Sequence, residues 1–272
     1  ISMGPPSSGG ALLINMLNML ELYEKDSLEW NSSDYVHILT EIERRAYADR
    51  AEHMGDPDYW DVPLEMFKSK EYAKIRTADI DINKASPSDE VYAGNPAGYE
   101  SPETTHYSVV DQWGNAVSVT TTINLGYGNG CVVKGAGFFL NNEMDDFSSK
   151  PGVPNVFGLV GNEANAIEPN KRPLSSMTPT IILKNNKPFL VIGSPGGSTI
   201  ITTVMQTILN VVDHDMDIKE AVCAARFHSQ WLPDVIQIEP RGLARDVIGN
   251  LELRGHEIVP RGGYIGESNC IM

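Results

Sequence analysis

Cysteine is scarce in this chain: Cys131, Cys223 and Cys270 are the only three among 272 residues, an odd number without a Cys-x-x-Cys pair. That excludes a disulfide framework and a cysteine-built metal cluster, and leaves three thiols expected to be buried. Basic charge is also short, with 21 Lys and Arg against 36 Asp and Glu and a formal net charge of −15. Such a surface repels phosphate backbones and argues against a nucleic-acid partner. No apolar run approaches the ~20 residues of a membrane span, and the first residues lack the charged-then-apolar order of a secretory signal. Six histidines occur without a His-Glu-x-x-His pattern, so neither a zinc enzyme nor any other metal or cofactor is expected. Low cysteine usage fits the cytoplasm or a bacterial periplasm equally well.

The chain does have ample apolar residue, at 41% hydrophobic content, enough for one large domain or two small ones. Residues 1–76 read mostly as helix. Leu13, Met16, Leu17 and Leu20 recur at helical spacing, and Tyr35 to His53 continues with a charged amphipathic pattern. The first helix is expected to be capped by a Gly-Pro-Pro-Ser-Ser-Gly-Gly run, Gly4 to Gly10. From Ile80 to Glu103 the chain is rich in Asp, Asn, Ser, Pro and Gly and reads as an exposed connector, a type of segment favoured for cutting. Both ends look cut short: Ile1 enters on a Pro/Gly motif and Met272 ends inside what reads as a strand.

After the connector the character changes to strands. Thr104-Thr105-His106-Tyr107-Ser108-Val109-Val110-Asp111 opens a hairpin whose loop is Gln112 to Asn115. In the second strand, alternation puts Val117, Val119, Thr121 and Ile123 on one face and Ser118, Thr120, Thr122 and Asn124 on the other. A wholly polar face suits solvent or a substrate cleft. A second hairpin, Thr180 to Lys184 and Phe189 to Ile192, leads into Gly193-Ser194-Pro195-Gly196-Gly197-Ser198 and a helix with Ser198 as its expected N-cap.

Three features carry possible chemistry. If the Glu103–Thr104 bond is cut, Thr104 owns both a nucleophilic Oγ and a free α-amine, which titrates near about 8 and can take the hydroxyl proton. The bland alternative is a β-branched pair in an ordinary strand. The glycine loop before the third helical region offers backbone N–H groups at a positive helix end, which suits an oxyanion; it lacks the endings of a Walker A or dinucleotide loop. Glu143 and Asp146 suit an ammonium group or plain solvation, and Ser175 with Ser176 suits a carboxylate or local backbone bonding. The long Pro/Gly/Asn stretch from Lys150 to Pro173 reads as a lid.

Five ordered motifs give these features a common reading: PPSSGG at Pro5 to Gly10, TTHYSVVD at Thr104 to Asp111, LNNEMDDF at Leu140 to Phe147, KRPLSSM at Lys171 to Met177 and GSPGGS at Gly193 to Ser198. Together they resemble the γ-glutamyltranspeptidases, self-cleaving members of the N-terminal nucleophile hydrolase superfamily. The resemblance implies an α+β fold, a four-layer αββα sandwich, with residues 1–103 from a large subunit and 104–272 from a small one, paired as a heterodimer. It also implies cleavage at Glu103–Thr104 and a γ-glutamyl-Thr104 ester formed from glutathione or related compounds, then passed to water or an amine. By the same resemblance Thr122 orients Thr104, Asn124, Glu143 and Asp146 hold the substrate ammonium, Ser175 and Ser176 bind its carboxylate, and Gly196 and Gly197 form the oxyanion hole. Two departures stand out. The arginine-bearing earlier part of the large subunit is not among these residues, and the lid position that is often tyrosine is Phe157. Family habit implies a periplasmic or secreted protein. The nearest rivals are a cephalosporin or glutaryl acylase, a poly-γ-glutamate-processing relative, and an unprocessed protein that merely holds γ-glutamyl ligands.

Overall fold

The computed structural model describes residues 1–92 and 104–272; the later part of the expected connector, residues 93–103 with Glu103, lies outside the described residues. The first region is helical, with α1 (Gly9–Leu20), α2 (Ser33–His53), α3 (Leu64–Lys68) and α4 (Lys70–Thr77). Helix α2 starts where the Ser32 hydroxyl accepts the Tyr35 N–H at 3.1 Å. Such a cap satisfies one of the donors that the first turn leaves unpaired. Its charged pattern suggests a solvated face, yet every residue from Tyr35 to Ala51 is buried. The charges are accommodated because they pair: Glu41 takes Arg45 at 2.6 Å, and Arg45 also reaches Asp79 at 2.9 Å. Leu39 and Ile42 on this helix join Leu12 and Met16 of α1 in one apolar core.

The remaining elements are β1 (Thr105–Val110), β2 (Ala116–Thr121), β3 (Thr180–Lys184), β4 (Lys187–Gly193), α5 (Thr199–Val212), α6 (Ile218–Cys223), β5 (Phe227–His228), β6 (Ile236–Ile238), α7 (Arg245–Leu253), β7 (Ile258–Pro260) and β8 (Asn269–Ile271). Both expected hairpins form. β1 pairs antiparallel with β2, Thr105 opposite Thr121, and β3 pairs antiparallel with β4, Thr180 opposite Ile192. The second turn is Asn185-Asn186, both at positive φ (53° and 60°), the backbone twist that a two-residue hairpin requires. β8 adds to the free edge of β4, and a separate small sheet runs β5-β6-β7.

The β1–β2 hairpin stacks on the β3-β4-β8 sheet, while α5 packs against β4 and α1 against α5, with Leu190 and Ile192 of β4 sharing a core with Ile201 and Val204 of α5. The class is α+β, as expected. Of the four αββα layers, the described residues supply a helical layer and two stacked sheets.

The stacking settles the orientation of β2. Its polar face points inward: Ser118 donates to the Ile192 carbonyl at 3.0 Å, and the Thr120 hydroxyl meets His106 Nδ1 at 2.8 Å. The apolar side is outermost, with Tyr107, Val109 and Val117 each about half exposed. The cysteines also differ from expectation, since Cys131 and Cys223 are exposed and Cys270 is half-buried. Cys131, in a surface turn, and Cys223, at the end of α6, do not reach the core, whereas Cys270, on a short edge strand, packs against it.

Candidate active site

Thr104 lies immediately before β1 and borders two cavities. The smaller, about 20 Å³, is lined by Thr104, Thr122, Asn124, Asp146, Phe157, Ser175, Ser176 and Gly197, and also by Arg50. The larger, about 690 Å³, opens on the other side of Thr104 between Pro195, Gly266 and the segment from Val259 to Tyr264. Seven of the sequence-predicted residues thus share one small space with Thr104. Glu143 and Gly196 do not line it; Gly196 precedes the lining Gly197, and Glu143 shares a hydrogen bond with the lining Asp146.

Each wall has a local cause. Just past β2 the backbone turns at Asn124, φ 73°, a left-handed conformation that Asn tolerates better than most residues. The Asn124 N–H donates to Thr122 Oγ1 at 2.8 Å and its Nδ2 to the Asn142 carbonyl at 3.1 Å. Its Oδ1 is buried and has no partner. That acceptor is positioned for a ligand donor, because a buried amide oxygen left unpaired costs about 1–3 kcal/mol.

The acidic wall is a single 3-10 turn, Glu143–Asp146. Burial, followed by repulsion from Glu143, pushes the Asp146 carboxyl up to about 8, with Arg50 pulling the other way. Burial also raises Glu143, whose Oε1 is buried without a partner. Two carboxyls crowded in a low-dielectric place cannot both ionise cheaply until a cation arrives. Such a pair can accept a positive charge.

The serine wall is tied to the chain's beginning. Ser175 accepts the Ser8 N–H on its carbonyl at 2.9 Å and donates its own N–H to the Pro6 carbonyl at 3.0 Å. The Pro-Pro-Ser-Ser-Gly-Gly run is thus a brace for the serine pair rather than a helix cap. Ser8 precedes α1 but makes no side-chain cap.

The glycine wall follows β4. Gly196 and Gly197 have φ of 138° and 58°, and among the described residues no oxygen accepts from either N–H. Thr199, not Ser198, completes the loop, donating its hydroxyl to the Gly196 carbonyl at 2.7 Å; Ser198 is spent on Gln230 Oε1 at 2.6 Å. The expected Ser198 cap is absent because Ser198 already has helical dihedrals, φ −62° and ψ −30°, where a capping residue is extended. A Cβ on Gly197 would lie 2.7 Å from the Phe157 ring, so the ring sits directly on this loop. Phe157 is buried, and Gln230 Nε2 donates to its carbonyl at 3.1 Å. Phe157 is thus held through its backbone, a bond that a phenylalanine makes as well as a tyrosine.

Arg50 escaped the sequence reading. It is one arginine among several on a charged helix, and its partners lie 42 and 126 residues away. A second cluster escaped for the same reason: His37, Glu41 and His256 bring potential ligand atoms within 4.8 Å of one another, although His37 and His256 lie 219 residues apart. Those atoms are engaged with each other and with arginines, His37 Nδ1 to His256 Nε2 at 2.7 Å and Glu41 to Arg45. His106 packs on the strand as expected, and burial lowers its imidazole to about 4.

The gamma-glutamyltranspeptidase family model matches residues 1–272. The chain belongs to that family. It is 51% identical over 271 residues to the glutathione hydrolase proenzyme of Escherichia coli K12, covering 100% of this chain and 46% of that protein. It therefore spans about half the length of its curated relative. A crystal structure of a mutant Helicobacter pylori gamma-glutamyltranspeptidase superposes with a TM-score of 0.61 at 64% identity, over 62% of this chain and 90% of the other. The cephalosporin acylase of Bacillus halodurans shares the fold over 98% of this chain and 45% of its own, TM-score 0.79, at 24% identity.

Proposed function

We propose that this sequence carries the nucleophile-bearing part of a γ-glutamyl acyltransferase and hydrolase acting on glutathione and related γ-glutamyl compounds. The observation that carries this reading is the convergence of Thr104, an unpartnered Asn124 Oδ1, a raised acidic pair and a serine pair on one small cavity. In this reading the bond between Glu103 and Thr104 is first cleaved, which divides the chain into 1–103 and 104–272, held together as a heterodimer.

The Thr104 α-amine then takes the Oγ proton as Oγ attacks the γ-carbonyl carbon. Gly196 and Gly197 N–H groups stabilise the oxyanion, a contribution of roughly 2.7–4 kcal/mol per donor in hydrolases of this kind. The protonated amine passes its proton to the leaving nitrogen, the C–N bond breaks, and a γ-glutamyl-Thr104 ester remains. Water or an amine entering from the larger cavity attacks that ester, and the proton returns to Oγ. Asn124, Glu143 and Asp146 hold the substrate ammonium, Ser175 and Ser176 its carboxylate, and Thr122 aligns Thr104. A cavity of about 20 Å³ has room for about one water, so admission of the glutamyl group requires its walls to move apart.

No helix of the described residues is long and apolar enough to cross a membrane. A periplasmic or secreted location follows from the family's habit and belongs to the same proposal. The test is release of p-nitroaniline by the full-length protein from γ-glutamyl-p-nitroanilide against a glutaryl analogue that lacks the amino group. Preference for the γ-glutamyl donor of at least tenfold supports the reading. Preference for the glutaryl compound would assign the site to an acylase, and tight γ-glutamyl binding without turnover to a silent binding protein.

A further inference from the structure

Arg50 ends the buried stretch of α2 and is 4% exposed. Among the described residues, no carboxylate lies within ion-pair distance of it, although several other arginines of this molecule have one. A buried cation without a direct counter-ion is costly. Burial lowers its guanidinium only to about 10, so it stays charged at neutral pH.

Its bonds lead to the serine wall from two directions. Arg50 Nε donates to Ser8 Oγ at 2.9 Å, and Ser8 Oγ in turn donates to the Ser175 carbonyl at 2.9 Å. Arg50 Nη2 donates to Ser176 Oγ at 3.3 Å. A serine oxygen that accepts from a guanidinium keeps its own proton for an outward donor bond. Ser176 is thereby polarised toward an incoming anion. On the opposite wall Arg50 acts through space on Asp146, whose other charged neighbours are Glu143 and Asp145 of the same turn. Tyr47, one helical turn back, is the remaining titratable group facing the guanidinium.

We propose that Arg50 is a positioning residue for donor binding: it fixes Ser176 as a hydrogen-bond donor to the substrate carboxylate and provides the counter-charge for the Asp146 carboxylate that meets the substrate ammonium. One buried charge serves both ends of the amino-acid head. The assignment rests on the function proposed above and explains the joint presence of the Ser8 motif, the serine pair and the acidic turn around one side chain.

The experiment measures kcat and KM for γ-glutamyl-p-nitroanilide from about pH 6 to 10 in the full-length enzyme. The Asp146 carboxyl, raised to about 8, and the freed Thr104 α-amine, near about 8, both lose protons in this range, so kcat/KM climbs across it, and only the Asp146 share of the climb depends on Arg50. Arg50→Gln removes the influence that lowers Asp146, so that share of the climb moves to higher pH. Donor KM at about pH 8 then rises roughly tenfold, because a much smaller fraction of the carboxyl is ionised there. Arg50→Lys keeps the charge but loses the fork: the climb returns toward its original pH while KM stays raised. Ser8→Ala raises KM and leaves the climb in place, and it supplies the test should Arg50→Gln not fold. The assignment is overturned if both Arg50 variants lose activity and melting temperature together while KM and the climb stay put, or if Ser8→Ala leaves KM unchanged. Failure of the unsubstituted enzyme to release p-nitroaniline would instead refute the function itself.

Discussion

The helical region and the β1–β2 hairpin bury opposite kinds of side chain. Around α1 and α2 the apolar residues point in, with Leu12, Leu39 and Ile42 fully buried. In the hairpin Ser108, Ser118 and Thr120 point in toward the second sheet, and Tyr107, Val109 and Val117 point out. The helical layer is a conventional core that holds the site's scaffold. The hairpin spends its inner face on hydroxyls, and the strand that carries them continues into Thr122 and Asn124, so one polar row serves both packing and the site. The lesson is that sheet polarity here follows the site rather than solvent.

The largest effect is expected in the helical layer. Leu39→Ala leaves a cavity among fully buried neighbours and should cost about 2–5 kcal/mol of unfolding free energy, read from chemical denaturation. Gly193→Ala comes next, at about 1–3 kcal/mol, because a Cβ there would lie 2.3 Å from the His106 ring, at the seam between the two sheets. Ser118→Ala removes one half-buried bond to the Ile192 carbonyl and should cost about 1 kcal/mol in the same measurement. Val117→Ala on the outer face should change stability of this chain by less than about 0.5 kcal/mol. If Val117 costs as much as Leu39, the contrast between the two regions collapses.

A pH-dependent test sharpens the same contrast. Asp146 is raised in the folded state, so between the unfolded carboxyl value near about 4 and its own value of about 8 the folded protein binds more protons than the unfolded one. Stability from this group therefore falls as pH rises through that window. Asp146→Asn removes the dependence, so its melting temperature should gain on the unsubstituted protein from about pH 5 to about pH 8. A gap that shrinks with rising pH would contradict the raised carboxyl.

Much of this was legible in the sequence, for identifiable reasons. Helix α2, both hairpins and the glycine loop follow from periodicity, Asn-rich turns and the strand–loop–helix pattern, all of them short-range signals. The family motifs marked the residues from Thr104 to Gly197 that gather at one cavity. Strand alternation separated two faces of β2 but left open which one was inside, because a hydroxyl row can be satisfied by a neighbouring sheet's carbonyls. Arg50 was hidden because its use depends on Ser8 and Ser176, brought together only by the fold. The burial of α2 was masked by charges that pair with each other, and the exposure of Cys131 and Cys223 has no local pattern that would announce it.

Everything proposed for the site depends on Thr104 becoming a chain terminus. Intact-mass spectrometry of the full-length protein, alongside its Thr104→Ala variant, reads this directly. The account predicts two fragments divided between Glu103 and Thr104 in the unsubstituted protein and a single uncut chain in the variant. An uncut unsubstituted protein that still turns over γ-glutamyl-p-nitroanilide, or a variant that is cut at the same bond, would contradict it.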